Sequence, residues 1–147
     1  MTVLQYDPKQ VTVTLTNAKV KLILTGFADD DFIDVERDED AFMKKTGVDG
    51  QTTRAKNNNH AGKITVKLMQ SSSSNDDLTG IAVADENDMT GVCSLLCKDS
   101  SGSSVFSAQS AWVKKFPKQT FKKDVNVYEW VIDTDELSIF AGGNPKA

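Results

Sequence analysis

Long hydrophobic runs, histidine, cysteine and a surplus of positive charge are all scarce in this chain of 147 residues. No apolar stretch approaches the roughly 20 residues that a membrane-spanning helix needs, so no membrane anchor is expected. The opening "MTVLQYDPKQ" lacks the basic region and apolar run of a secretory signal. Synthesis in a cytoplasm is the expectation. The single histidine, His60, lies in a polar stretch, and the only cysteines, Cys93 and Cys97, are four apart in "CSLLC". On a strand they share a face but stand too far apart to bond easily, and a zinc site would need further ligands at suitable spacing. Two small buried or half-buried thiols are expected, with no metal and no cofactor. The net charge of −4 argues against tight nucleic-acid binding, which usually needs a basic surface to displace counterions from phosphates.

Catalytic signatures are equally thin. A serine nucleophile elbow, a phosphate-cradling glycine loop and a zinc-protease helix are all missing from the sequence. With one histidine in a polar loop, a Ser-His or Cys-His pair has little support. No catalytic residue is assigned, and the chain is not expected to be an enzyme.

What is present is 39% hydrophobic and 26% charged residues, ordinary for a soluble globular protein and enough for one domain with its own core. The dominant period is two, a strand signal. "VTVTLT" at 11–16 sets Val11, Val13 and Leu15 against threonines, and "VKLILT" at 20–25 follows after a short turn as the second arm of a hairpin. In "FIDVER" at 32–37, Ile33, Val35 and Arg37 fall on one face and Phe32, Asp34 and Glu36 on the other. Asp49-Gly50 is a hairpin turn signal whose two central positions call for positive φ. "KITVKLMQ" at 63–70 alternates again, and further strands are expected at 92–98, 104–108, 110–116 and 125–132. One helix is predicted at about 74–88, where Leu78, Ile81, Ala82 and Asp85 recur at helical spacing, with Ser74 as its cap. Gly80 within it costs on the order of 1 kcal/mol against alanine. The fold class is therefore mostly β, a β-barrel or sandwich with one flanking α-helix, since closing the sheet would remove exposed edges. Trp112, Phe116, Trp130 and Phe140 are expected in the core.

The stretch "DFIDVERDED" at 31–40 poses the functional question. A calcium loop begun at about Asp29 puts Ile33 or Asp34, depending on frame, at its sixth position, where glycine is needed. Asp34 and Glu36 point the same way on a strand, whereas a glycosidase pair must face across a cleft. A strand with one charged face and an acidic exit loop fits better. Charge is also segregated along the chain: residues 29–40 carry eight acids and one arginine, while Lys114, Lys115, Lys118, Lys122 and Lys123 have no acid among them. Opposed patches of this kind suit head-to-tail association between copies. The polar stretch "RAKNNNHAGK" at 54–63 looks like a loop extended toward a partner.

The run from Leu24 to Leu78 resembles the tail tube proteins of contractile-tailed bacteriophages. The resemblance is carried by the Gly26-Phe27 corner, "DFIDVERDEDAF", the Asp49-Gly50 turn with Arg54, Gly62 and its strand, and "QSSSSND" before the helix. "EWVIDTDELSIFAGGN" at 129–144 is similar to that family's C-terminal strand, while 84–124 matches loosely. The resemblance implies a fold similar to the type VI secretion tube protein and hexameric rings whose strands join into an inner barrel. The rings stack into a tube inside a contractile sheath, part of the virion tail, assembled in the bacterial host cytoplasm. Implied partners are further copies of the chain and the sheath, tape measure and baseplate or terminator proteins, with DNA passing through the lumen unbound.

On that object, Asp34 and Glu36 are expected to face the lumen or its rim, because rows of cations would hold phosphates and stall DNA. Across one tail-tube domain spanning residues 1–147, a protruding loop or hairpin at about 38–62 is expected at the stacking contact. Its candidate residues are Asp38, Glu39, Asp40, Phe42, Met43, Lys44, Asp49 and Arg54, and the lysines at 114–123 are expected to meet a neighbour's acidic run. A tube cap, a baseplate ring, the tube of a headless contractile bacteriocin, and a small ligand- or metal-binding β-domain stay open as alternatives.

Overall fold

The structure is a computed structural model and describes residues 3–144. A short 3-10 turn at Pro8–Gln10, held by Asp7 Oδ1 accepting from the Lys9 N–H at 3.0 Å, leads into β1 (Val11–Thr16). Val13 and Leu15 of β1 are buried and its threonines are turned outward, as the period-two pattern requires. Asn17 makes the turn into β2 (Lys21–Ile23) by accepting the backbone N–H groups of Lys19 and Val20 at 2.8 and 2.7 Å. There follow β3 (Ile33–Arg37), β4 (Phe42–Thr46), β5 (Thr52–Lys56), β6 (Gly62–Met69), α1 (Ser74–Asp88), β7 (Cys93–Asp99), β8 (Val105–Lys115), β9 (Val127–Thr134) and β10 (Ser138–Phe140).

The chain is mostly β with one helix, as the sequence pattern implies. Antiparallel pairing runs β2-β1-β7-β8-β9-β6-β3, with β10 added alongside β8, and β4-β5 form a separate two-stranded sheet. One face of the large sheet supplies the core, where Ile64, Val66, Leu68, Leu95, Trp130, Ile132 and Leu137 are sealed from solvent. The sheet curls enough that Ile33 and Val35 of β3 line one groove with Val11 of β1, Cys97 of β7 and Phe106 of β8. Leu78, Ile81 and Ala82 of α1 close over the core.

Several local expectations are corrected. Ser74 does not cap α1: it is the first helical residue, and its hydroxyl instead accepts the Thr25 N–H at 2.9 Å, a tertiary bond that outcompetes the local one. The two strands expected at 104–108 and 110–116 are one strand, β8, continuous through register shifts against both neighbours. Residues 54–56 belong to β5 and residues 62–63 to β6, so only 57–61 of the polar stretch is loop. In the Asp49-Gly50 turn only Gly50 has positive φ, +85°. Gly47 and Gln51 pair at 2.8 Å and Gly50 N bonds Gly47 O at 3.0 Å, which makes a three-residue loop ending in glycine rather than a two-residue turn. Of the four aromatics expected in the core, Trp130 is fully buried and Trp112 half-buried, while Phe116 and Phe140 are 36% and 62% exposed. Phe140 lies on β10, whose three residues are all exposed; Phe116 follows β8 and touches Trp130 only ring to ring, at 6.3 Å.

A candidate assembly surface

Asp34 and Glu36 stand exposed on the face of β3 opposite Ile33 and Val35. Register carries that face across two further strands, through Glu36–Lys63–Asp133 and Asp34–Thr65–Val131, with Lys67 opposite Glu129. Directly paired residues share a face, so the acids are joined by Glu129 and Asp133 and also by Lys63 and Lys67. Glu36 pairs with Lys63 at 3.6 Å, and Lys67 Nζ donates to Asp31 at 2.8 Å. The bond from Lys67 holds the Asp31 carboxyl below its ordinary range, and the same bond raises the Lys67 ammonium, with smaller help from Asp34 and Glu129. The face is thus a net-acidic lattice with interleaved cations, which the 31–40 stretch alone does not reveal. The signal was in "KITVKL", whose polar positions fall opposite the acids once the register is known.

Asp38, Glu39 and Asp40 leave β3 exposed and are stitched to the returning chain. Asp38 N bonds Ala61 O at 3.0 Å, the Glu39 carboxylate accepts from Asn59 Nδ2, and Asn57 Nδ2 donates to Asp40 O at 2.9 Å. The asparagines of "NNNH" therefore hold the two legs of the excursion together.

Every residue of β4 and β5 is exposed, including Phe42, Met43, Lys44 and Arg54, and so is Asp49 in the loop between them. Phe42 at 46% and Met43 at 58% exposure are anchors without a seat in their own chain. Lys44 stands opposite Arg54, whose guanidinium lies 4.1 Å from the Phe42 ring centroid, and Thr46 and Thr52 share a hydroxyl bond at 3.0 Å. Lys114 and Lys115 end β8, while Lys118, Lys122 and Lys123 follow in an irregular exposed segment that also presents Phe121. Among the described residues none of these five lysines forms an ion pair, and the chain does not bring them to its own acidic run.

The remaining chemistry is inert. Cys93 and Cys97 are free, buried thiols on one strand face, and burial pushes the Cys97 thiol up to about 11. Among the described residues no group of three or more His, Cys, Asp or Glu is placed to hold a metal ion. None of their helices is long and apolar enough to cross a membrane.

Residues 9–142 match the family described as Bacteriophage PhiTE tail tube protein. The chain is 36% identical over 145 residues to Structural protein ORF10 of Pseudomonas phage KPP10, covering 96% of this chain and 84% of that protein. Its fold is similar to three solved chains at 10–11% identity. The tube-terminating cap of the anti-feeding prophage gives a TM-score of 0.57 over 95% of this chain and 93% of that one. The sheath/tube terminator of an extracellular contractile injection system gives 0.60 over 96% and 100%, and the sheath-tube complex of the same kind of system gives 0.57 over 93% and 92%.

Proposed function

Because the chain belongs to the bacteriophage PhiTE tail tube protein family, and is therefore a phage structural protein and not an enzyme, we propose that it is the repeating subunit of a tail tube in a contractile particle. One tail-tube domain forms rings, hexameric by the resemblance of its sequence, and the rings stack into a conduit for DNA inside a sheath. Sheath, tape measure and baseplate or terminator proteins are its other partners, and assembly takes place in the host cytoplasm.

The observation that carries this reading is the β4–β5 hairpin, with no residue buried in its own chain. A two-stranded hairpin alone in water is marginally stable at best. A surface on another molecule stabilises such a hairpin further, and a repeating neighbour supplies one. The face bearing Asp34, Glu36, Glu129 and Asp133 is assigned to the lumen, where Lys63 and Lys67 temper the repulsion without forming an uninterrupted cationic row.

The test is negative-stain electron microscopy and size-exclusion chromatography of the full chain and of a variant lacking residues 44–55. Full-length protein is expected to form rings or hollow tubes; the deletion is expected to stay as soluble monomers or single rings. Normal tubes from the deletion overturn the role of the hairpin. The likeness to two terminator chains supports a second reading, a tube-ending ring. Assembly that halts at one ring at every concentration selects it.

A further inference from the structure

This inference rests on the hairpin being an assembly element, and it identifies what the hairpin seats on. The hairpin is cationic, with Lys44, Lys45, Arg54 and Lys56 against Asp49 alone. None of the four cations is in an ion pair among the described residues. Register sets Phe42 opposite Lys56 and Lys44 opposite Arg54, so these four side chains share one face. Like charges directly opposed destabilise an isolated hairpin. Arg54 Cζ lies 4.1 Å from the Phe42 ring centroid, a cation–π contact, and a guanidinium carries N–H donors suited to taking carboxylates in pairs.

The complementary surface is on α1, which carries Asp76, Asp77, Asp85, Glu86 and Asp88 and no lysine or arginine. Asp76, Asp77 and Asp88 border a groove of about 330 Å³ between α1 and the β1–β2 turn, lined also by Gly80, Ala84 and Lys19. Asp88, in the last turn, opposes the helix dipole and has no local cation to offset it. Gly80 is an independent pointer. Glycine within a helix costs about 1 kcal/mol against alanine, yet a Cβ at this position would meet nothing within 4 Å. Nothing in the chain itself requires a bare backbone there; the close approach of another chain does.

Placement supports the same pairing. The hairpin follows β3, at one end of the strand order, whereas α1 packs on β8 and on β2, the strand at the other end. Hairpin and groove are different surfaces of the chain, and a contact between different surfaces is heterologous, which closes rings or propagates. The acids at 38–40 sit at the hairpin's own foot, and a reciprocal exchange of hairpin and foot between two copies is an isologous contact that stops at two. We propose that the cationic face of the hairpin of one copy seats in the acidic groove between α1 and the β1–β2 turn of the next. Lys44, Arg54 and Lys56 line the contact against Asp77, Gly80 and Asp88.

The test uses full-length chains. Lys44→Glu with Arg54→Glu is expected to abolish tubes, leaving soluble monomers or single rings, and adding Asp77→Lys with Asp88→Lys in the same chain is expected to restore the tubes. Gly80→Leu is expected to keep the thermal melt of the wild type but to lose assembly. Chains with Arg54→Cys mixed with chains carrying Asp88→Cys are expected to give cross-linked dimers with a flexible bis-maleimide, because a contact through the arginine side chain leaves the Cα atoms farther apart than a disulfide allows. Rescue by reversal at Asp38 and Asp40 in place of α1, normal tubes from Gly80→Leu, or no cross-link each overturn the proposal. If deleting 44–55 blocks assembly while the α1 variants are silent, the hairpin keeps its role and only this seat is lost. Should the deletion itself assemble normally, the hairpin reading fails first.

Discussion

The indole N–H of Trp130 donates to Asn75 Oδ1 at 2.9 Å inside the core, and the same amide donates to the carbonyls of Met69 and Ser72 at 3.0 and 3.1 Å. One buried side chain thereby fastens the start of α1 to β9 and to the end of β6. Replacing it by alanine strands the buried indole N–H, while the Met69 and Ser72 carbonyls keep the backbone N–H groups of Ser72 and Asn75. Leaving a buried polar group unsatisfied costs roughly 1–3 kcal/mol. Asn75→Ala is therefore expected to destabilise the fold by about 1–3 kcal/mol. Urea unfolding followed by Trp130 fluorescence checks this, and a loss under about 0.5 kcal/mol, the range of ordinary surface changes, contradicts it.

The Asp31–Lys67 pair sets a pH signature. Its hydrogen bond lowers the Asp31 carboxyl from its ordinary 3.8, so the stability it contributes is present above that value and is lost as pH falls through the depressed one. Lys67 is raised from 10.5, so its share is present below that value and disappears as pH climbs through the raised one. The melting-temperature gap between wild type and Lys67→Met is expected to be flat in the neutral range and to shrink below about pH 4. A gap that persists unchanged into acid would assign the effect to packing of the Lys67 stem.

Much of the fold was legible because alternation and helical spacing are local. Val13 and Leu15, Ile64, Val66 and Leu68, and the Leu78–Ile81–Ala82 stripe all lie where period alone puts them. What escaped depends on contacts far along the chain. The Ser74 hydroxyl is claimed by Thr25, 49 positions away, and the acid face of β3 acquires Lys63 and Lys67 only through the β3–β6 register. Phe116 and Phe140 are as apolar as Trp130, and composition cannot distinguish a strand's inner face from its last residues. For the candidate site, the acids and the hairpin were visible in sequence. The cationic face of the hairpin was not, because it takes cross-strand register to put Lys44, Arg54 and Lys56 together.

Cys97 offers a basic-limb test. Burial, and next the Asp99 charge, push its thiol from 9.0 to about 11, so between those values the unfolded chain ionises while the folded chain holds its proton. Stability must then fall as pH rises through that window, by an order of about 2–3 kcal/mol for a shift of this size. Cys97→Ala is expected to lose part of its stability to the missing sulfur but to show a shallower decline from pH 9 to 11. Equal slopes for the two proteins would remove the thiol as the cause. The folded protein is also expected to react sluggishly with thiol reagents, both cysteines being buried.

The lumen assignment makes a prediction about charge. Across β3, β6 and β9 the face holds four acids, Asp34, Glu36, Glu129 and Asp133, and two lysines, Lys63 and Lys67, a net of −2 per chain. Asp34→Lys with Glu36→Lys leaves two acids and four lysines, a net of +2 on the same strands. Both positions are exposed, so the fold is expected to tolerate the change. Each phosphate neutralised adds roughly −0.9 to the slope of log affinity against log salt. Assembled wild-type tubes are therefore expected to retain no short duplex DNA on a filter. The variant tubes are expected to retain it at low salt and release it steeply as salt rises toward about 200 mM. Tubes of the variant that stay as indifferent to DNA as the wild type would move this face out of the lumen, to an exterior or subunit boundary that phosphates never meet.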